Sequence, residues 1–395
     1  MIVRRRLSLL ALAAACSLVG ASSTAASSSD PLCVGQYGGA PPHPRPAVRF
    51  GIDPGIAGSA GGVQLPTVPD DPARDLAAAR ALRPSKRVLV LRLNRLFWSD
   101  GQAGISSFEQ MVARYTRARF DVELQVRYHP APSEVGDIPA WTNYVRHVVD
   151  VFGKNPRVVA MTITNEVNVT FSPNTSDGYY TGAKDALIAG IEAAHQEAAR
   201  RRYRQLRFGF TYAYRFVPTN DAAFFSYLGS HGGLRLLHAL GFVGLDFYPG
   251  TIYPPVMPPG DTYRAELAQA AGVVRSCMAP LAGIGSRTPI WITENGVPTG
   301  VLSEAEQAAA LDQLVQAVHD YAGTFNITDY RWFNLRDSNS TGPAEALPLT
   351  FSTDGLLRSD YTPKRSFGLY RSLIARFGAR PPRARKHRRS RQLHG

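Results

Sequence analysis

Residues 158–168 read VVAMTITNEVN, and residues 289–296 read PIWITENG. Each is a short apolar run that breaks into a polar pair, Asn165–Glu166 in the first and Glu294–Asn295 in the second. Near-continuous apolar runs suit strands buried on both faces, as in a parallel sheet. Working outward, further runs of this kind give candidate strands at Val48–Ile52, Arg87–Leu93, Val122–Tyr128, Val158–Thr164, Leu206–Thr211, Phe242–Tyr248, Pro289–Thr293 and Thr328–Phe333. Amphipathic stretches lie between and after them: Ala73–Leu82, Ser107–Arg119, Ile138–Phe152, Tyr180–Arg202, Asp221–Leu240, Tyr263–Met278, Glu304–Tyr321 and Ser366–Phe377. Ser303 and Glu306 have the spacing of a capping box. Strands that alternate with helices imply parallel βαβ units. Eight in succession predict a single-domain α/β fold, the (β/α)8 TIM barrel. An open doubly wound sheet is the alternative. It calls for a glycine-rich phosphate turn, for which GIDPGIAGSAGG (residues 51–62) lacks the GxGxxG spacing.

The flanks differ from this core. MIVRRR, an apolar run Leu7–Val19 and small residues Gly20–Ser29 form the pattern of a secretory signal peptide, too short for a membrane span. Cleavage is expected between Ala21 and Ala26, and Cys16 leaves lipoprotein anchoring as a variant. The expected division is a signal peptide at 1–26, a Pro/Gly-rich lead-in at 27–47, the barrel at 48–377 and a basic, disordered tail at 378–395. The formal charge of +13 comes from the ends. Residues 1–29 hold three arginines and residues 376–395 hold seven arginines and Lys386, with no acid in either. The 33 basic and 31 acidic residues between them leave a net of +2, which argues against a nucleic-acid partner. The tail reads as a solvated segment or as a contact to an anionic cell surface. With Cys16 removed, Cys33 and Cys277 remain as a candidate disulfide. No CxxC or Cys/His cluster points to a metal and no cofactor is expected; a monomer is.

Catalytic groups of such barrels stand at the C-terminal ends of strands. There the fourth strand carries Glu166 and the seventh Glu294, facing each other across the mouth. Glycoside hydrolysis requires two carboxyl groups flanking one bond, one to protonate the leaving oxygen and one to attack or to activate water. The second strand ends LRLN, with Arg92, and the third ends QVRYHP, with His129.

These segments resemble the clan A superfamily of retaining glycosidases, of the family 5 and family 1 barrel type. TITNEVN resembles its strand-four Asn-Glu motif and WITENG its strand-seven motif. LGFVGLDFYPG, YRWFNLRDSN and GLLRSDYTPKRSFGLYRSL resemble its strand-six, strand-eight and closing segments. The resemblance runs from about residue 48 to 377. It implies Glu166 as acid/base, Glu294 as nucleophile and Asn165 on the sugar 2-hydroxyl. Tyr248 would orient the nucleophile, Arg92 keep it ionised, His129 line the neighbouring subsite and Trp332 stack under the sugar. Val167 stands where many members have proline, and Asp246 where family 5 members have histidine, so the clan is indicated but no family. The implied activity is secreted hydrolysis of β-glycosidic bonds in a polysaccharide or oligosaccharide. A carbohydrate-binding barrel without activity and a surface-adhesion protein acting through its tail are the competing readings. Aromatics in the loops after the strands, Trp98, Trp141, Phe171, Tyr179, Tyr180, Tyr212, Tyr214, Phe216 and Tyr253, are candidates for stacking on sugar faces.

Overall fold

A computed structural model describes residues 33–381 apart from 34, 56–58, 61–62, 65–66, 174, 216, 252–256, 258, 301 and 342–351. The signal-peptide reading, Cys16, most of the basic tail, Phe216 and Tyr253 therefore lie outside the described residues.

Eight parallel strands close into a barrel: β1 (Arg49–Ile52), β2 (Val90–Phe97), β3 (Asp121–Arg127), β4 (Val158–Ile163), β5 (Arg207–Ala213), β6 (Phe242–Asp246), β7 (Ile290–Glu294) and β8 (Ile327–Trp332). Each pairs with its neighbours in sequence, and β1 pairs with both β2 and β8, so no edge is left open. The closed order excludes the open doubly wound sheet. The helices are α1 (Pro72–Leu82), α2 (Gly101–Arg117), α3 (Ile138–Gly153), α4 (Ala183–Arg201), α5 (Pro218–Ala239), α6 (Tyr263–Val273), α7 (Glu304–Tyr321) and α8 (Arg365–Phe377). A π turn, Val274–Met278, prolongs α6.

Local chemistry sets these boundaries. Asp71 accepts from the Ala73 and Arg74 amides ahead of α1, and Asp137 accepts from Ala140 ahead of α3. These side chains take up amides that a helix start leaves unpaired. Ser303 and Glu306 form the reciprocal capping box of α7. The strands are buried on both faces, with Val, Ile, Leu and Phe toward the helices.

Inside the barrel much of the filling is polar, beside a small apolar cluster of Ala160, Phe242 and Trp291. Glu123 of β3 lies 3.5 Å from Arg92 of β2 and 3.1 Å from Arg331 of β8, and Arg331 lies 2.8 Å from Asp329. All four are buried. A Cβ at position 51 would come within 2.4 Å of the Arg331 side chain, so β1 yields room for that guanidinium by carrying glycine. Charges this deep persist because each is paired; removing one partner would strand another.

The lead-in from residue 33 runs over the helical layer. Gln269 of α6 accepts from the Tyr37 and Gly38 amides at 2.7 and 2.9 Å, and Cys33 is disulfide-bonded to Cys277 in the π turn. No helix among the described residues is long and apolar enough to cross a membrane.

Candidate active site

Glu294 is the last residue of β7 and is 8% exposed. Its two oxygens meet different donors: Arg92 Nη1 at 2.7 Å from Oε1, and the Tyr248 hydroxyl at 2.8 Å from Oε2. Arg92 comes from inside β2, and Tyr248 lies two residues beyond β6. Burial alone would make the Arg92 guanidinium easier to deprotonate. The acids around it, Glu294 foremost, outweigh that and bind its proton more tightly. Arg92 is thus a permanent cation on the strand wall. Burial, followed by the Glu294 charge, pushes the Tyr248 phenol well above its ordinary range, so it stays a hydrogen-bond donor.

Glu166 is built otherwise. It lies three residues beyond β4 in left-handed backbone at φ 46°, and Thr164 two positions earlier sits at φ 67°. Non-glycine residues seldom adopt this region, and such strain gathers at functional sites. The turn is pinned by hydrogen bonds. The Glu166 amide donates to Thr211 Oγ1 at 3.2 Å, and the Asn165 amide to Asp177 Oδ2 at 2.9 Å. The Asn165 side chain accepts from Gln125 and Thr211 and donates to the Thr175 carbonyl. Asp177 also takes Arg127 at 2.7 Å and the Tyr128 amide at 2.9 Å, which makes it the hub between the β3 end and the β4 loop. Among the described residues Glu166 itself receives a neutral donor alone, Ser176 Oγ, at 2.7 Å. Burial, and then the charge of Glu294, push its carboxyl up to about 8.

The two glutamates converge on a third acid. One carboxylate oxygen from each of Glu166, Asp246 and Glu294 lies within 4.8 Å of the others. Asp246 ends β6, is 2% exposed and accepts from Thr293 Oγ1 at 2.7 Å on Oδ1.

Of the residues singled out in the sequence, Glu166, Glu294, Arg92, Tyr248 and Asn165 stand at or beside this cluster. His129 stands at the β3 end, half-buried, with Ser99 Oγ 3.1 Å from Nδ1 and with Phe97 and Tyr180 against its ring. Burial and the neighbouring Arg127 lower its proton affinity. Trp332 calls for a correction. It is fully buried and donates its indole N–H to the Asp354 carbonyl at 3.0 Å, so it supports the mouth from below and offers no face to solvent. Trp98, Trp141, Tyr212 and Tyr214 are likewise packed inside, Trp98 and Trp141 with their ring centroids 5.6 Å apart. Phe171 and Tyr179, both on the loop that follows Glu166, are about half exposed, at 53% and 51%.

Sequence reading passed over Ser176 and Asp177, which lie in an aperiodic loop, and weighed Asp246 only as a departure from a motif. The signal for Asp246 was its spacing. It stands two residues before Tyr248 in the expected strand Phe242–Tyr248, and the twofold period of such a strand would direct both to one face.

No protein-family model matches the chain, and no curated protein sequence matches it. Among solved structures it is similar to GH5_18 from Bifidobacterium longum, at 15% identity over 85% of this chain and 81% of that one, with a TM-score of 0.57. A family 1 β-glucosidase from Thermotoga maritima matches at 14% identity over 85% and 99%, TM-score 0.56. A family 39 glycoside hydrolase from Bacteroides cellulosilyticus matches at 13% over 82% and 62%, TM-score 0.55. At such identities the likeness is one of fold.

Proposed function

We propose that this chain is a secreted, retaining glycoside hydrolase that cleaves β-glycosidic bonds of a polysaccharide or oligosaccharide by double displacement. The observation that carries this is a pair of glutamates with oxygens within 4.8 Å and opposite electrostatic surroundings. Retaining pairs stand ~5–5.5 Å apart, and inverting pairs ~6.5–9.5 Å, because a water must fit between substrate and base. Glu294, held by Arg92 and Tyr248, is the carboxylate that attacks the anomeric carbon. Glu166, half-buried beside that charge and stabilised by a hydroxyl, is the protonated acid. Divergent environments for two neighbouring carboxyls divide the roles of acid and nucleophile.

In the first step the Glu294 oxygen bonds to the sugar and the Glu166 proton passes to the departing oxygen. In the second, water attacks the glycosyl-enzyme, its proton goes to Glu166, and Glu294 leaves as carboxylate. Asn165 has one amide hydrogen on Thr175 and turns the other to the sugar 2-hydroxyl, a contact that strengthens in the transition state. His129 lines the adjoining subsite. Phe171 and Tyr179 offer ring faces to a longer chain, the task the sequence reading had given to Trp332. A β-linked substrate is supported by the neighbours: one GH5_18 structure is a complex with Manb1-4GlcNAc. Export is supported by the leader pattern and by the Cys33–Cys277 disulfide.

The test is a panel of aryl β-glycosides and polysaccharides with product sizing. Glu294→Ala should abolish turnover, and azide should restore an azide adduct of inverted configuration. Full activity of that variant would end the assignment. A barrel that binds carbohydrate without cleaving it would bind the panel and release nothing. An adhesin working through its tail would lose its function on deletion of residues 379–395, a change that leaves catalysis intact.

A further inference from the structure

Three carboxyl groups crowd the mouth, and Arg92 is the cation that touches one of them, Glu294. Glu294 has that cation on one oxygen and a phenol on the other, so it holds the negative charge. Asp246 has neither. Its Oδ1 accepts from Thr293, while its Oδ2 is buried with no hydrogen-bond partner among the described residues. A buried carboxylate oxygen without a donor is costly, whereas the same oxygen bearing a proton is itself a donor. The groups facing Asp246 are acids and phenols, with one cation: Glu294 from β7, Glu166 from the β4 loop, Tyr248 from beyond β6, Tyr212 from β5 and Arg92 from β2.

Resting on the hydrolase reading above, we infer that Asp246 is a positioning residue, a neutral acid protonated on Oδ2 whose O–H follows the single negative charge as it moves between Glu294 and Glu166. The charge count supports this at each stage. In the free enzyme the charge is on Glu294. When Glu294 forms the ester and Glu166 gives up its proton, the charge moves to Glu166. Hydrolysis of the ester returns it. The Asp246 proton is never transferred; it donates to whichever glutamate is ionised, directly or through one bridging oxygen, a reach that 4.8 Å permits. Burial, followed by the charges of Glu294 and Glu166, holds that proton far above the ordinary aspartate range, in agreement with the geometry. A cation shared by the three acids is the weaker account, because Arg92 already supplies Glu294 with a positive charge.

The experiment compares Asp246→Asn, which retains a neutral donor, with Asp246→Ala, which does not. The alanine variant should lose about 10²-fold in kcat, most on dinitrophenyl glycosides, where breakdown of the glycosyl-enzyme limits turnover. Asparagine should recover all but about 3- to 10-fold, because an amide N–H replaces the O–H. It should leave the alkaline limb of the pH profile in place. In the infrared difference between wild type and D246N at pH 7, the band lost should be the C=O stretch of a protonated carboxyl. Loss of carboxylate stretches instead, or a D246N alkaline limb moved a full pH unit or more toward acid, would overturn the inference. Either result means that Asp246 was ionised and had been holding the Glu166 proton in place by its charge. The infrared difference needs no turnover and no folded alanine variant. It therefore reports on Asp246 even if Glu166 and Glu294 variants remain active and the hydrolase reading fails.

Discussion

Glu294 and Glu166 meet within 4.8 Å, yet the two sides of the mouth are built from different materials. On the β7 side the carboxyl sits on a strand. Its partners, a buried guanidinium and a phenol, come from β2 and from just beyond β6. On the β4 side the carboxyl sits on a left-handed turn, and its partner is a serine ten residues further along the same loop. Charge faces charge on one side, and a neutral hydroxyl faces a half-buried acid on the other. Two residues of one chemical type thereby meet opposite surroundings, which the proposed mechanism uses to separate the nucleophile from the acid. The strand-borne side favours a fixed anion, and the loop-borne side holds a proton and releases it.

The comparison breaks most decisively at the strand-borne side. Glu294→Ala should lower kcat/KM by about 10⁴-fold or more, measured on aryl β-glycosides. Next comes Glu166→Gln, with a loss of about 10²- to 10⁴-fold that shrinks as the leaving group improves, because a good leaving group needs no proton. A leaving-group series measures it, and an equal loss across the series would contradict the assignment of the acid. Tyr248→Phe removes one hydrogen bond to a charged oxygen and should cost about 10- to 100-fold in kcat/KM. Ser176→Ala acts on the loop side and is milder. The serine hydroxyl favours ionised Glu166, so its removal should carry the alkaline limb to higher pH with little change at the optimum.

The smallest effect is one of stability. The folded protein keeps the Glu166 proton up to about pH 8, whereas the unfolded chain releases it near 4.5. Between these values the folded form binds more protons, so the contribution is present below 4.5 and lost as pH rises through 8. Glu166→Gln removes that loss. Its Tm should exceed the wild-type value by a few degrees at pH 8 and converge with it at pH 4, as calorimetry can measure. A gap that is the same at both pH values would refute the buried-acid account.

Much of this difference was legible in the chain. The eight strands were readable because strands buried on both faces are written as apolar runs, and observed boundaries depart from expected ones by a few residues. β2 shifted most: it begins at Val90 and continues through a register shift to Phe97, past the LRLN at which the apolar run ends. Glu294 was readable because it ends an apolar strand run, and Arg92 and Tyr248 through the resemblance of their segments to clan A barrels. The loop side was not. Ser176 reaches Glu166 through a turn whose shape depends on Asp177 gathering three donors, and no periodicity records that. Exposure was hidden as well. Trp332 and Trp141 look like Phe171 in sequence, and only packing divides the first two from the third.

The disulfide has a consequence in time. Cys33 precedes Cys277 by 244 residues, and the second cysteine lies in the prolongation of α6. Because a chain is made from its N-terminus, Cys33 emerges before any of β1–β6 and has no lasting partner until six of the eight strands have followed it. Under the export proposed above, transfer across a membrane comes first and oxidation follows it. The bridge then works as a latch, locking the leading segment against a helical layer that already exists, and in a reducing compartment the latch would stay open.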